Sequence, residues 1–252
     1  KETKQTYWQI LPLTTTSYGD SPYQSFSAIA GNTHFIDLDF LIRDGFLTEA
    51  DVEGSDFGSD PEFIDYAKVY EARRPLLEKA VKAILADENE AKKFETFKAE
   101  NANWLADYAD FMAIKEYFGN KALQDWDDKK AIKRDEATLE KLRKELTGVI
   151  TYHQVVQYLF FSQWAELKAY ANKNGIQIIV EVWTQPHLFK LDAECKPRYI
   201  AGVPPDNFSP TGQLWGNPIY DWDKHKAENY AWWVFRIQES FKLFDCLRID
   251  HF

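Results

Sequence analysis

The run Ile176-Gln-Ile-Ile-Val-Glu-Val182 constrains the fold of this chain more than any other feature. Five of its seven residues are branched at Cβ, which stiffens χ1 and suits a pleated strand better than a helix. The run lacks the strict apolar–polar alternation of a half-exposed strand and reads as one buried on both faces, as in a parallel sheet. Parallel neighbours are reached through a crossover of a dozen or more residues, usually a helix, and helical patterns stand on both sides. Upstream, Val156, Phe160, Trp164, Leu167 and Ala171 form an apolar stripe at spacings of four and three, with Gly175 placed to cap it. Downstream, an aromatic helix from Tyr230 to Phe244 feeds a strand predicted at Leu247–Phe252. A further strand is predicted at Tyr7–Leu13, stopped by Pro12 and the polar run Thr14-Thr-Thr-Ser17. Strands alternating with helices, without hairpin signals, predict an α/β protein with parallel strands.

Residues 39–148 have another character. Helical spacing dominates, with Leu76, Leu77, Ala80, Val81 and Ile84 in one segment and Trp104, Tyr108, Phe111, Met112 and Lys115 in another, closed by Gly119. Lys141-Leu-Arg-Lys-Glu145 reads as solvated helix surface, and no catalytic motif is found here. The chain thus divides into a strand and loop at 1–38, a helical insertion at 39–148, and helices and strands at 149–252. The stretch Ala201 to Pro218, rich in Pro, Gly and Asn, reads as one long loop.

Composition excludes several functions. The net charge of −10 over 252 residues opposes non-specific binding to nucleic acid or anionic membranes, and no run of eighteen apolar residues could span a membrane as a helix. The two cysteines, Cys195 and Cys246, form no CxxC, and no histidines stand at metal-ligand spacing, so neither a disulfide framework nor a zinc site is indicated. His34, His153, His187 and His225 are scattered and read as core or surface residues. The single methionine is Met112 and the chain opens on Lys1, so both ends read as cut.

Chemistry concentrates in two places. In a strand over 247–252, Arg248 and Asp250 share one face while Leu247 and Ile249 take the other. An arginine two residues away on the same face keeps a carboxylate ionised, which suits a nucleophile at the C-terminal end of a barrel strand. The pair equally suits a buried ion pair, and spacing alone leaves both open. The second place is a pair of loops carrying Tyr18, Ser21, Tyr23, Asp206, Phe208, Gln213, Trp215 and Asn217. Aromatic faces with amides and hydroxyls are what a groove for a hydroxyl-rich polymer needs, although aromatic plugs on loop punctuation would look the same. Aromatic residues make up 16% of the chain, which fits either reading.

The motifs Trp8-Gln-Ile-Leu-Pro-Leu13, Tyr18-Gly-Asp-Ser-Pro-Tyr-Gln-Ser25, Gly202-Val-Pro-Pro-Asp206, Thr211-Gly-Gln-Leu-Trp-Gly-Asn-Pro218 and Leu247-Arg-Ile-Asp-His-Phe252, in register from end to end, resemble the amylomaltases. These are the 4-α-glucanotransferases of glycoside hydrolase family seventy-seven. The resemblance implies a partial (β/α)8 TIM barrel of the α-amylase superfamily with a large helical insertion, acting on α-1,4-glucans and maltooligosaccharides in the cytoplasm. It implies no cofactor, no metal, and neither nucleic-acid nor membrane partners. By the same resemblance Asp250 is the nucleophile of a retaining mechanism, Arg248 orients it, and His251 contacts the sugar at the cleaved bond. Ser21 and Tyr23 flank the cleft, and Tyr18 binds glucan away from the point of cleavage. Residues 202–217 match a loop that folds over bound glucan through Phe208, Gln213 and Trp215, favouring an acceptor sugar over water.

Two departures from the family pattern stand out. The second carboxyl that retaining chemistry needs as acid/base comes, in the family, from the strand after the nucleophile, so it is expected to be absent from these 252 residues. The family also carries a segment with a substrate-binding aspartate before the match at Val182-Trp183, whereas here Val180 runs straight into Glu181. About ten residues are missing there, roughly 30 Å of extended chain. The expected activity is glucan transfer with this chain carrying the nucleophile half; an α-glucan hydrolase and an inactive glucan-binding fragment are the alternatives.

Overall fold

The computed structural model describes residues 4–23, 25–60, 62–181, 188–192, 197–207 and 209–249. After strand β1 (Tyr7–Ile10) come helices α1 (Leu38–Arg43), α2 (Glu49–Val52), α3 (Tyr66–Ala86), α4 (Glu88–Glu100), α5 (Leu105–Tyr117), α6 (Lys129–Ile132), α7 (Glu136–Glu145) and the long α8 (Thr147–Lys173). Strands β2 (Gln177–Glu181), β3 (Ile200–Val203) and β4 (Gln213–Pro218) follow, then α9 (Trp222–Ala227), α10 (Ala231–Leu243) and β5 (Cys246–Arg248).

Much of the acidic excess serves helix starts. The carboxylates of Asp37, Asp65, Asp87, Asp128 and Asp135 each accept backbone N–H groups in the first turn of the helix that follows, satisfying donors that have no partner within the helix. Gly119 and Gly175 lie just past α5 and α8 at φ of +70° and +74°, the left-handed conformation that glycine adopts without a Cβ penalty.

The three-stranded sheet has the order β1-β2-β5, and both pairings are parallel. Tyr7 faces Gln177 and Ile10 faces Val180 on one side of β2; Ile179 faces Cys246 and Glu181 faces Arg248 on the other. The β-branched run is therefore the central strand, and Ile178 is wholly buried. The main core joins residues of α3, α4, α8 and β2 with Leu243 and Phe244 at the end of α10. Trp164 Nε1 on α8 donates to the carbonyl of Leu243 at 2.9 Å, which ties α8 to the end of α10.

Charges also cross between helices. Arg74 of α3 donates to Glu116 of α5 at 2.8 Å, and His153 Nε2 of α8 lies 2.7 Å from the same carboxylate. Burial alone would raise the Glu116 pKa, but these two partners outweigh it and hold the group down to about 2. His153 and His225 are core residues, as read from the sequence. Arg143, placed on a solvated face, bonds Asp110 and Glu136 at 2.6 Å each. No helix among the described residues is long and apolar enough to cross a membrane.

The stretch 201–218 corrects the sequence reading. It is an antiparallel hairpin, β3 against β4, with Gly202 opposite Leu214 and Val203 opposite Gln213. Two glycines permit it. A Cβ on Gly202 would lie 2.2 Å from the Gln213 carbonyl oxygen, and one on Gly212, at φ +72°, would lie 2.6 Å from that of Val203. The prolines and asparagines that suggested a loop stand in the nine-residue turn and at the end of β4, where Pro218 faces Ile200 at the last position of the ladder. Strand β1 is also shorter than expected, ending at Ile10 because Pro12 cannot extend the ladder; β5 covers Cys246–Arg248, and residues 250–252 of the strand expected at 247–252 lie outside the described residues.

Candidate active site

Because β1, β2 and β5 are parallel, the chain leaves all three at the same end of the sheet. The loop that begins at residue 11 and the backbone approaching Asp250 therefore start from one rim, where α/β folds place their ligand sites.

The first loop is fastened at both feet. Asn32 N–H donates to the Leu13 carbonyl at 2.8 Å and Thr15 N–H to that of Ala30 at 3.2 Å. Gln157, wholly buried on α8, grips the far foot with its amide: Oε1 accepts from Gly31 N–H at 2.7 Å and Nε2 donates to Gly31 O at 2.9 Å. Gln163 repeats the grip on Asp37, at 2.7 and 3.0 Å. Gly31 has to be glycine, since a Cβ there would lie 2.0 Å from the Phe160 ring. Between the feet, the Ser25 and Ser27 hydroxyls bond the backbone at 27–30, and the Ser21 hydroxyl accepts from Tyr23 N–H at 3.3 Å. Tyr18–Asp20 forms a single 3₁₀ turn with Gly19 and Asp20 at positive φ. The Asp20 carboxylate accepts from the Tyr70 hydroxyl of α3 at 2.8 Å. Burial first, and then this carboxylate, push the Tyr70 pKa up. The Tyr23 ring is exposed and Ser21 half-buried, while the Tyr18 side chain lies outside the described residues.

The β5 rim is held by a residue that sequence reasoning passed over. Asp245 Oδ2 accepts from Ile178 N–H at 2.9 Å and from Asn172 Nδ2 at 2.8 Å, and its own N–H donates to the Ile178 carbonyl. Lys168 stands 3.6 Å from the other oxygen. Burial raises the Asp245 pKa, yet these donors outweigh it and hold the carboxyl below the usual range. Asp245 thus fixes the register of β5 from β2. The only trace of this in the sequence is an acidic residue directly before an apolar strand. Arg248 sits opposite Glu181 in that register and is exposed. Asp250 and His251 lie outside the described residues.

On the hairpin, Gln213 and Trp215 share a strand face, and Trp215 Nε1 donates to Gln213 Oε1 at 3.0 Å. Leu214, on the other face, is 82% exposed. Asp206 does local work, its Oδ1 accepting from Ser209 N–H at 2.7 Å within the turn. Phe208 and the side chain of Asn217 lie outside the described residues.

The structure therefore brings Ser21 together with Tyr23 and Gln213 with Trp215, and sets Arg248 on the same rim as the first loop. A cavity of about 1220 Å³ lies elsewhere, between Trp8 and Ile10 of β1, residues 32–37, and Phe160, Trp164 and Leu167 of α8. Neither Tyr23 nor Arg248 lines it. It runs along the open flank of β1 and reaches the first loop at Thr16, Asp20 and Pro22. Among the described residues no cluster of His, Cys, Asp and Glu could hold a metal ion.

The 4-alpha-glucanotransferase family model, glycoside hydrolase family seventy-seven, matches residues 1–252. A 4-alpha-glucanotransferase of Streptococcus pneumoniae is 56% identical over 261 residues, covering 99% of this chain and 52% of that protein. One from Clostridium butyricum is 45% identical over 260 residues, covering 98% and 53%. A solved structure of the amylomaltase from Streptococcus agalactiae, in complex with acarbose, superposes with a TM-score of 0.94 at 56% identity, covering 100% of this chain and 53% of that one. The chain spans about half the length of the curated relatives it matches. Both aligned stretches exceed the 252 residues here, as positions without a counterpart in this chain require. The parallel sheet is accordingly part of a (β/α)8 barrel, and the chain belongs to the 4-alpha-glucanotransferase family.

Proposed function

We propose that this chain carries the nucleophile half of a 4-α-glucanotransferase, which moves α-1,4-linked glucan segments from a maltodextrin donor to a glucose or maltodextrin acceptor. The observation that carries the reading is the parallel register of β1, β2 and β5, which starts the Ser21–Tyr23 loop and the Arg248–Asp250 segment from one rim. Asp250 attacks the anomeric carbon as the leaving oxygen is protonated, giving a covalent glucosyl-enzyme. An acceptor hydroxyl then displaces Asp250 with net retention. Arg248 keeps the carboxylate ionised and oriented, and His251 contacts the sugar at the cleaved bond. The acid/base carboxyl stands about 5–5.5 Å from the nucleophile in retaining enzymes and comes from sequence beyond these 252 residues.

Tyr18, Ser21 and Tyr23 bind glucan on the first loop, while Phe208, Gln213 and Trp215 cover it from the hairpin. The Trp215–Gln213 bond supports that role, because it holds the indole on the strand face that also bears an amide. Residues 39–148 act as a helical insertion that buttresses the first loop. No cofactor is needed for this chemistry, and the exposed free thiol of Cys246 suits a reducing compartment such as the cytoplasm. Incubating the full-length protein with maltotriose tests the proposal. Transfer yields glucose and longer maltodextrins at a constant number of reducing ends, whereas a rise in reducing ends without longer products would identify a hydrolase. No product at all would identify a binding module.

A further inference from the structure

The hairpin β3–β4 stands on two short feet. Lys190 N–H donates to the Ile219 carbonyl at 3.0 Å and Asp221 N–H to that of Leu188 at 2.7 Å. Across the feet, the rings of Phe189 and Tyr220 stack at 4.6 Å and 18°. Both feet rest on α10 through one buried cation. Arg236, 1% exposed, donates from Nη1 to the Tyr220 hydroxyl at 3.2 Å. Its guanidinium lies 5.4 Å from the ring centre of Trp232 and 5.2 Å from that of Trp233.

An apolar side chain would fill this space at a lower desolvation cost. A guanidinium adds direction, because its planar donors and its attraction to ring faces fix where Tyr220 can lie. Burial lowers the Arg236 pKa to about 10 against the raising effect of Tyr220, so the group stays charged at neutral pH. The same helix continues into β5, whose start is locked by Asp245 and by the Trp164–Leu243 bond. Hairpin and β5 are thus both mounted on α10.

We propose that Tyr220 and Arg236 form a positioning pair that fixes the hairpin relative to β5, the strand just before Asp250 in sequence, and so sets how the glucosyl-enzyme is divided between an acceptor sugar and water. The partition rests on the transferase reading above; the positioning does not. Neither residue touches the sugar. A hairpin held over the intermediate excludes water, and one loosened at its feet admits it.

The test uses the full-length protein with Tyr220→Phe, Arg236→Met and the double variant. Tyr220→Phe keeps the stack on Phe189 and removes the hydroxyl alone, so the test survives if Arg236→Met fails to fold. Amides of residues 200–203 and 213–217 should exchange about tenfold faster in each single variant, as expected when a hydrogen bond to a charged group is lost. The double variant should add nothing, since the pair acts as one unit. On maltotriose, new reducing ends relative to longer maltodextrins should rise by about the same tenfold factor, with total donor cleavage held within about twofold. Unchanged hairpin exchange would overturn the positioning role. Faster exchange at an unchanged product ratio, with only a lowered Tm, would overturn the partition. A wild type that only releases new reducing ends sinks the transferase reading and the partition with it, and hairpin exchange then supports or overturns the positioning on its own.

Discussion

Asp245 and Asp250 stand five positions apart and use a carboxylate in opposite ways. Asp245 spends its oxygens on Ile178 N–H, Asn172 and Lys168, which fixes a strand edge. Asp250, the proposed nucleophile, must keep an oxygen free for a sugar carbon. In the full-length enzyme Asp250→Asn should lower transfer by at least about 10⁴-fold, the scale of losing a covalent nucleophile. Maltotriose affinity, read by calorimetry, should stay within about threefold, because the change acts on the transition state. Asp245→Ala should instead lower unfolding free energy by about 1–2 kcal/mol, the scale of leaving the Ile178 N–H without its acceptor while the exposed Asn172 turns to water. Its pH dependence has a definite sign. The folded pKa lies below the unfolded value, so the stabilisation is complete above the unfolded pKa and disappears as pH falls through the folded one. Urea titrations of wild type and Asp245→Asn should therefore diverge above about pH 4 and converge in stronger acid. A gap that widened on acidification would contradict the assignment.

At the scale of elements, α8 does more than its apolar stripe announced. Val156, Phe160, Trp164 and Ala171 of the stripe pack in the core with Ile178, as the spacing predicts, while Leu167 is 40% exposed, and two glutamines beside the stripe hold the first loop in place. Gln157→Leu would leave the N–H and C=O of Gly31 buried without partners, and chemical denaturation should show a loss of about 2–4 kcal/mol. Gln163→Leu, on a more exposed site, should cost less than half of that, about 1 kcal/mol. Equal effects would mean that burial of the amide is not what matters. The spacing of apolar residues made the helix legible; which polar neighbour would be buried depended on a loop more than a hundred residues away in sequence.

Among the described residues the three-stranded sheet ends in two open edges, β1 and β5, whereas a closed barrel has none. On β1 and just beyond it Tyr7, Trp8 and Leu11 are exposed by 58, 45 and 56%, and the large cavity flanks the same strand. Such a surface binds apolar dyes and favours association between copies. The 252-residue chain by itself should bind 8-anilinonaphthalene-1-sulfonate, bind maltodextrins weakly at most, and show no disproportionation of maltotriose. General acid help is worth about 10²–10⁴ in rate, and the proposed donor lies outside this chain. Robust disproportionation by the isolated chain would overturn the assignment of the missing acid and point to Glu181 or Asp206.

Residues 176–182 by themselves determined a parallel strand, because β-branched side chains flanked by helical patterns suit one; its burial is partial, with Ile178 buried, Ile176 and Ile179 half-buried and Gln177 exposed. Helical spacing likewise determined α3, α5, α8 and α10, and the ordered motifs determined the family. What local pattern could not decide was which groups would meet across long separations. Residues 201–218 became a hairpin because two missing Cβ atoms let distant backbones approach, and a glycine count looks the same in a loop. Asp245, Gln157 and Arg236 took their roles from partners on other elements. A side chain's hydrogen-bonding capacity is written in its chemistry, but the partner that uses it is chosen only when packing excludes water and leaves one neighbour within reach.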